Sequence, residues 1–247
     1  MNKEVAKSIA IKALQKIYGT YSGKGLLAIY LWGSSTRDDF DPATSDIDVI
    51  GITDDSFDPS NRKLIKEQLE TESPQIKEFG FQNVFLSELN GGPRRSVLMK
   101  LQAPGYLLKS FHEWQWVCGE HFERQDFSEP DFSVEQMIDH NLSEADRALS
   151  SLDDPGRKPN ANRIDLVKAL LMLIYWRSVK GGNKKRLDLT NLPEVALDSD
   201  RTAAATLLDM RKNKTFSGDA FAHQLPELIR YLETARSNNS NADKVSS

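Results

Sequence analysis

Two short apolar runs, Leu26–Trp32 and Ile47–Thr53, constrain this chain more than any other feature. Each is too short for a buried helix and rich in aliphatic or aromatic residues, so each reads as a buried strand. The first run leads directly into Gly33-Ser34-Ser35-Thr36-Arg37, and the second is preceded by Ser45-Asp46 and carries Asp48 next to its start. Asp46 and Asp48 stand two residues apart, which in a strand puts both side chains on one face and Ile47 and Val49 on the other. Two carboxylates about 4 Å apart repel by roughly 4 kcal/mol at an effective dielectric near 20. Hard oxygen ligands so grouped suit Mg²⁺, which takes one or two protein carboxylates together with phosphate oxygens. Gly33 lets an anion approach the backbone, and Ser34 offers a hydroxyl and an N–H to it. One element grips phosphates and the other holds the metal that bridges them, the division of labour that phosphoryl or nucleotidyl transfer requires.

Around these runs the pattern is mixed. Residues 3 to 18 predict an amphipathic helix with Val5, Ile9, Leu14 and Ile17 near helical spacing, ended by Gly19 and Gly23. Asn61–Glu70 predicts a polar surface helix, Phe79–Leu86 a third strand, and Trp114–Cys118 a fourth. The second half changes character. Val134, Met137, Ile138, Leu142, Ala145 and Leu149 mark one helix face, with Ser133 and Gln136 as a capping box. Ile164–Val179 predicts a more apolar helix stopped by Gly181-Gly182, and Thr202–Met210 and Leu225–Leu232 predict two more. The reading is an α+β domain over residues 1–125, an all-α helical bundle over 126–235 and a flexible tail over 236–247.

Composition narrows the function. Of the 247 residues, 39% are hydrophobic and 28% charged, a soluble balance. The longest strongly apolar run, Ala169–Trp176, is too short to span a bilayer, so no membrane partner is expected. A formal net charge of −4 argues against general nucleic-acid binding. Lys3, Glu4 and Lys7 interrupt the first apolar residues, so no signal peptide is expected. Cys118 is the single cysteine, which rules out an internal disulfide, reads as a buried apolar residue and fits a reducing cytoplasm. The four histidines lack ligand spacing for zinc, and His112 and His121 read as surface residues.

Gly33-Ser34, eleven intervening residues and Asp46-Ile47-Asp48 together resemble the signature of the polymerase-β-like nucleotidyltransferase superfamily. The Gly-Ser-x-x-Arg form, Gly33 to Arg37, resembles antibiotic nucleotidyltransferases and the minimal nucleotidyltransferases of bacterial toxin–antitoxin pairs. The helical second half resembles the streptomycin/spectinomycin adenylyltransferases most. The resemblance implies a polymerase-β-like domain, a mixed sheet with flanking helices, and a following helical domain that closes over the nucleotide. It implies that Gly33 and Ser34 contact the triphosphate of ATP, that Asp46 and Asp48 are catalytic and ligate Mg²⁺, and that an acceptor hydroxyl attacks in line. Arg37 is expected either at the phosphates or in a salt bridge to Asp38, Asp39 or Asp41. Lys184 or Lys185, just past the apolar bundle helix, is expected either to reach the phosphates or to sit in a solvated basic loop. Trp114, Trp116 and Trp176 read first as packing residues and second as stacking partners for a base.

One departure from the family pattern stands out. A third carboxylate is expected on a later central strand, as metal ligand or general base. The strand Phe79–Leu86 offers Gln82 or Asn83 there, and neither amide can take a proton. Either Glu78 or Glu88 substitutes from a strand end, or the base is dispensable, or the enzyme is weakened. Two functions follow. The first is an enzyme transferring AMP from ATP to a small-molecule hydroxyl of aminoglycoside type. The acids Asp38, Asp39, Asp41, Asp54, Asp55 and Asp58 would attract such a polycation. The alternative is a nucleotide-binding regulatory or antitoxin-type protein that modifies or binds a protein partner. Because ligand sites commonly lie at domain interfaces, nucleotide and acceptor are expected between the two halves.

Overall fold

The two apolar runs pair with each other. The computed structural model describes residues 1–37, 40–42, 45–152, 154, 160–185, 188–213, 216 and 218–245. Leu26–Trp32 (β1) runs antiparallel to Ile47–Thr53 (β2), with Trp32 opposite Asp48. Phe79–Phe85 (β3) pairs in parallel with β2, setting Gly80 opposite Asp48 and Gln82 opposite Ile50. Gln115–Gly119 (β4) pairs antiparallel with the other edge of β1, and a bulge leaves Val117 as the extra residue. The sheet order is β3-β2-β1-β4. Its two inner strands are buried almost throughout, as continuous apolar runs require.

Contacts divide the chain into two units, Met1–Phe132 and Ser133–Ser247. In the first, Lys3–Tyr21 (α1) and Asn61–Glu72 (α2) cover one face of the sheet. Ala6, Ala10, Ala13, Leu14 and Ile17 of α1 and Ile65 and Leu69 of α2 pack on Ile29, Leu31, Ile47, Val49, Phe79 and Phe81. The buried stripe of α1 is richer in alanine than the sequence reading suggests, and Val5 lies outside it at 47% exposure. Small side chains let the helix approach the sheet closely, and they carry little hydropathy signal. Gly19 sits inside α1, which ends at Tyr21.

The opposite face, Ala28, Tyr30, Ile50, Ile52 and Val84, is covered by two short helices, Val97–Leu101 (α3) and Pro104–Lys109 (α4), with Trp114 and Phe127. Neither helix was expected, because five or six residues hold too little of a helical period to show one. The link from β3 to α3 is organised around Glu88, a fully buried carboxylate. It accepts the backbone N–H groups of Phe85 (2.9 Å), Ser96 (2.7 Å) and Arg95. Three donors make a buried acid tolerable. Arg95 then stacks over the Phe85 ring at 4.2 Å and bonds Asp55 and Ser87.

The second unit is all helix. Val134–Ser150 (α5) begins with the expected capping box, Gln136 N–H to Ser133 Oγ (3.2 Å) and Ser133 N–H to Gln136 Oε1 (2.8 Å). Ala161–Lys180 (α6) is apolar around most of its circumference and forms the core of the unit. Leu192–Val195 (α7), Arg201–Asn213 (α8) and Gly218–Val245 (α9) follow. Arg177 of α6 donates to Asp200 at 2.8 Å, a nearly buried ion pair at the start of α8. The polar segment expected as a tail overlaps α9, where Arg236 pairs with Asp146 and Asn239 donates to Asp139 at 2.7 Å, both on α5.

Glu88→Ala should strand three backbone donors in the β3–α3 link and lower unfolding free energy by at least about 3 kcal/mol. Urea denaturation followed by circular dichroism checks this, and Glu88→Gln should cost clearly less.

Candidate active site

The register of β1, β2 and β3 gathers the sequence motif at one end of the sheet. β1 is antiparallel to β2, and β3 is parallel to it. The C-terminal end of β1 therefore lies at the same end of the sheet as the N-terminal ends of β2 and β3. After Trp32 the chain makes a 3-10 turn, Gly33–Thr36. Ser35 and Thr36 hydroxyls donate to the carbonyls of Trp32 (2.8 Å) and Gly33 (2.9 Å), and Arg37 N–H to that of Ser34 (3.0 Å). These bonds fix the turn and leave the Ser34 hydroxyl outside its internal bonding. Trp32 is pinned through its indole N–H to Ser110 Oγ at 3.3 Å.

Asp48 sits between two glycines. Gly33 has φ 68°, a conformation that favours glycine, and a Cβ there would lie 2.7 Å from Asp48 Oδ2. On the other side a Cβ at Gly80 would lie 2.6 Å from Asp48 Oδ1. Any side chain at either position would displace the carboxylate. Asp46 lies one residue ahead of β2, and Lys77 holds its Oδ1 at 3.2 Å. Two acids at the start of one strand, with glycines on either side of Asp48 in the turn after β1 and on β3, fit a hard divalent cation. Among the described residues no three His, Cys, Asp or Glu side chains form a metal cluster. A cation here would complete its shell with phosphate oxygens and water, the usual habit of Mg²⁺.

The structure decides between the two amides on β3. Asp48 shares its sheet face with Gly80 and Gln82, whose registers fall opposite Asp48 and Ile50, while Asn83 points to the other side. The strand position facing Asp48 thus carries no side chain at all. The next one carries Gln82, whose buried Oε1 has no hydrogen-bond partner among the described residues. Glu88 does not substitute, since its carboxylate is committed to backbone donors. Glu78 pairs with Lys66 of α2 at 3.0 Å.

Other expected residues fall elsewhere. Asp54, Asp55 and Asp58 follow the far end of β2, six or more residues from Asp48, a distance of about 20 Å along an extended chain. They are corrected from an acidic rim to turn and loop ligands: Asp54 Oδ1 accepts Ser56 N–H (2.8 Å), Asp55 accepts the Ser87 hydroxyl (2.9 Å), and Asp58 accepts Ser60 N–H (2.8 Å). The Ser87 hydroxyl and Arg95 hold the Asp55 carboxyl below its usual range. Asp38 and Asp39 lie outside the described residues; Asp41 is exposed and Arg37 half-buried. Lys184 and Lys185 are exposed in the second unit, where Lys185 N–H donates to Asn183 Oδ1 at 2.9 Å. Trp114 and Trp176 are buried packing residues, whereas Trp116 is 44% exposed against His121. Burial raises the Cys118 thiol to about 11, so it is no nucleophile at neutral pH.

Two residues at this end of the sheet, Gly80 and Lys77, were not singled out in the sequence. Gly80 carried a signal, since a glycine inside a strand marks a close approach. Lys77 carried none, because only the parallel pairing of β3 brings it to Asp46.

The sequence from residue 9 to 97 matches the nucleotidyltransferase domain family. This span contains the Gly33–Arg37 turn, both aspartates and all of β1, β2 and β3. In fold the whole chain is similar to the crystal structure of spectinomycin adenyltransferase AAD(9) from Enterococcus faecialis with ATP and spectinomycin. The TM-score is 0.56 and the identity 11%, over 91% of this chain and 98% of that one. No curated protein matches the chain in sequence. An α+β first unit carrying the matched segment, followed by an all-helical second unit, is the expected architecture.

Gly80→Ala suits a strand as well as glycine does, yet it must push the Asp48 carboxylate aside. Calorimetry should show Mg-ATP affinity falling on the order of tenfold, with an unchanged circular dichroism spectrum.

Proposed function

We propose that the protein transfers AMP from ATP to a hydroxyl of a small-molecule acceptor of aminoglycoside type, with Asp46 and Asp48 holding Mg²⁺. The observation that carries this reading is the seating of Asp48 between Gly33 and Gly80, beside a serine-bearing turn, in a nucleotidyltransferase domain. Support for the acceptor class comes from the fold shared with an adenyltransferase bound to ATP and spectinomycin.

Gly33 and Ser34 receive the triphosphate, the glycine by admitting it to the backbone and the serine by hydrogen bonding. Bound metal would stabilise charge on the α-phosphate and the departing pyrophosphate. Arg37, Lys184 and Lys185 supply further positive charge to the phosphates. The acceptor hydroxyl attacks in line from the β3 side. Gln82 can accept a hydrogen bond from that hydroxyl and orient it, but cannot take its proton.

The lack of a carboxylate on the Asp48 face of β3 favours a second reading, a nucleotide-binding regulatory or antitoxin-type protein that acts on a protein partner. Pyrophosphate release from Mg-ATP across an acceptor panel that includes aminoglycosides separates the two. Acceptor-dependent release supports the transferase on small molecules. Tight Mg-ATP binding without release for any acceptor supports the second reading.

Asp46→Asn and Asp48→Asn should each abolish Mg²⁺-dependent ATP binding and turnover while the thermal transition stays intact. Calorimetry with unchanged Mg-ATP affinity in both variants would refute the metal assignment. Gln82→Asp should speed transfer to hydroxyl acceptors by restoring a base. Replacing Lys184 and Lys185 together by Ala should weaken ATP binding by about 1.5–3 kcal/mol per lost charge-assisted contact.

A further inference from the structure

Lys77 is a cation that the described structure places directly on a proposed metal ligand. Its ammonium lies 3.2 Å from Asp46 Oδ1, and both side chains are about half exposed, 50% and 46%. Its position is set by the sheet. The carbonyl of Glu78 accepts Ile47 N–H at 3.0 Å, and the Glu78 side chain is drawn to Lys66 of α2. These contacts anchor the residue next to Lys77 and hold the lysine level with Asp46.

We propose that Lys77 is a positioning residue that couples metal loading to nucleotide binding. The inference rests on the reading of Asp46 and Asp48 as the metal ligands. A divalent cation arriving alone must share Asp46 with an ammonium that already neutralises it, and two like charges at that separation repel. Metal arriving with a nucleoside triphosphate brings several negative charges with it. The ammonium then has phosphate oxygens to pair with and no longer opposes the metal. Lys77 therefore weakens the binding of bare metal and not that of the metal–nucleotide complex. In coupling terms, nucleotide raises metal affinity partly through this lysine, and metal raises nucleotide affinity by the same factor.

The test uses the full chain with Mn²⁺ as probe, read by electron paramagnetic resonance and calorimetry at low ionic strength, with and without ATP. Lys77→Met should bind free Mn²⁺ about two- to fivefold more tightly than the natural chain, the range set by half-exposed ion pairs. It should bind Mn-ATP no more tightly, so that the nucleotide-induced gain in metal affinity shrinks. Lys77→Arg should restore the natural values. A merely structural role would move free-metal and metal–nucleotide affinity together, and that result, or an unchanged free-metal affinity in Lys77→Met, would overturn the proposal. Failure of the underlying reading looks different: neither the natural chain nor Lys77→Met would bind Mn²⁺ or Mn-ATP, and Asp48→Asn would change nothing.

Discussion

The hydrogen-bonded register between β2 and its two neighbours is the constraint on which the rest depends. It sets Trp32 and Gly80 on either side of Asp48 and brings the Gly33 turn over the same carboxylate. A slip of one residue in either pairing would turn Asp48 toward the face packed under α1 and α2 and Ile47 and Val49 toward the opposite face. Both cores oppose such a slip, because Ile47 and Val49 pack under α1 and α2 while Ile50 and Ile52 pack under α3 and α4. Burial on two faces thus fixes the site to a tolerance that the polar residues alone could not impose.

The arrangement also explains where strength and openness lie in the first unit. The far end of β2 is tied by Asp54, Asp55, Arg95 and the buried Glu88, all engaged in local hydrogen bonds. At the near end the 3-10 turn and the Lys77–Asp46 pair lie beside the motif aspartates. Acids at one end of the strand hold local turns, and Asp46 and Asp48 at the other are partly exposed. Acidity along the sequence was therefore a poor guide to location, since Asp41 and Asp54 are close in sequence but separated by the length of a strand.

Much of the first unit was legible in the sequence. β1 and β2 are long enough and apolar enough to be bounded to the residue, and Gly33, Ser34, Asp46 and Asp48 announced themselves by type and spacing. The capping box at Ser133 was legible for the same reason, being a local pattern. What escaped was what depends on pairing between distant segments. The choice of Gln82 over Asn83 needs the β2–β3 register. The approach of Lys77 to Asp46 needs the parallel sense of that pair. The alanine stripe of α1 and the short α3 and α4 escaped for a different reason, their weak hydropathy signal.

The bulge at Val117 has a meaning beyond local geometry. β4 closes one side of the sheet with only five residues, and its extra residue twists the strand and spoils the even spacing of its outward amides. A neighbouring chain seeking to add a strand would find a short, irregular template there. The exposed Trp116 on that border is thus prevented from acting as the start of edge-to-edge aggregation, which lets a large aromatic ring face water at the margin of a sheet.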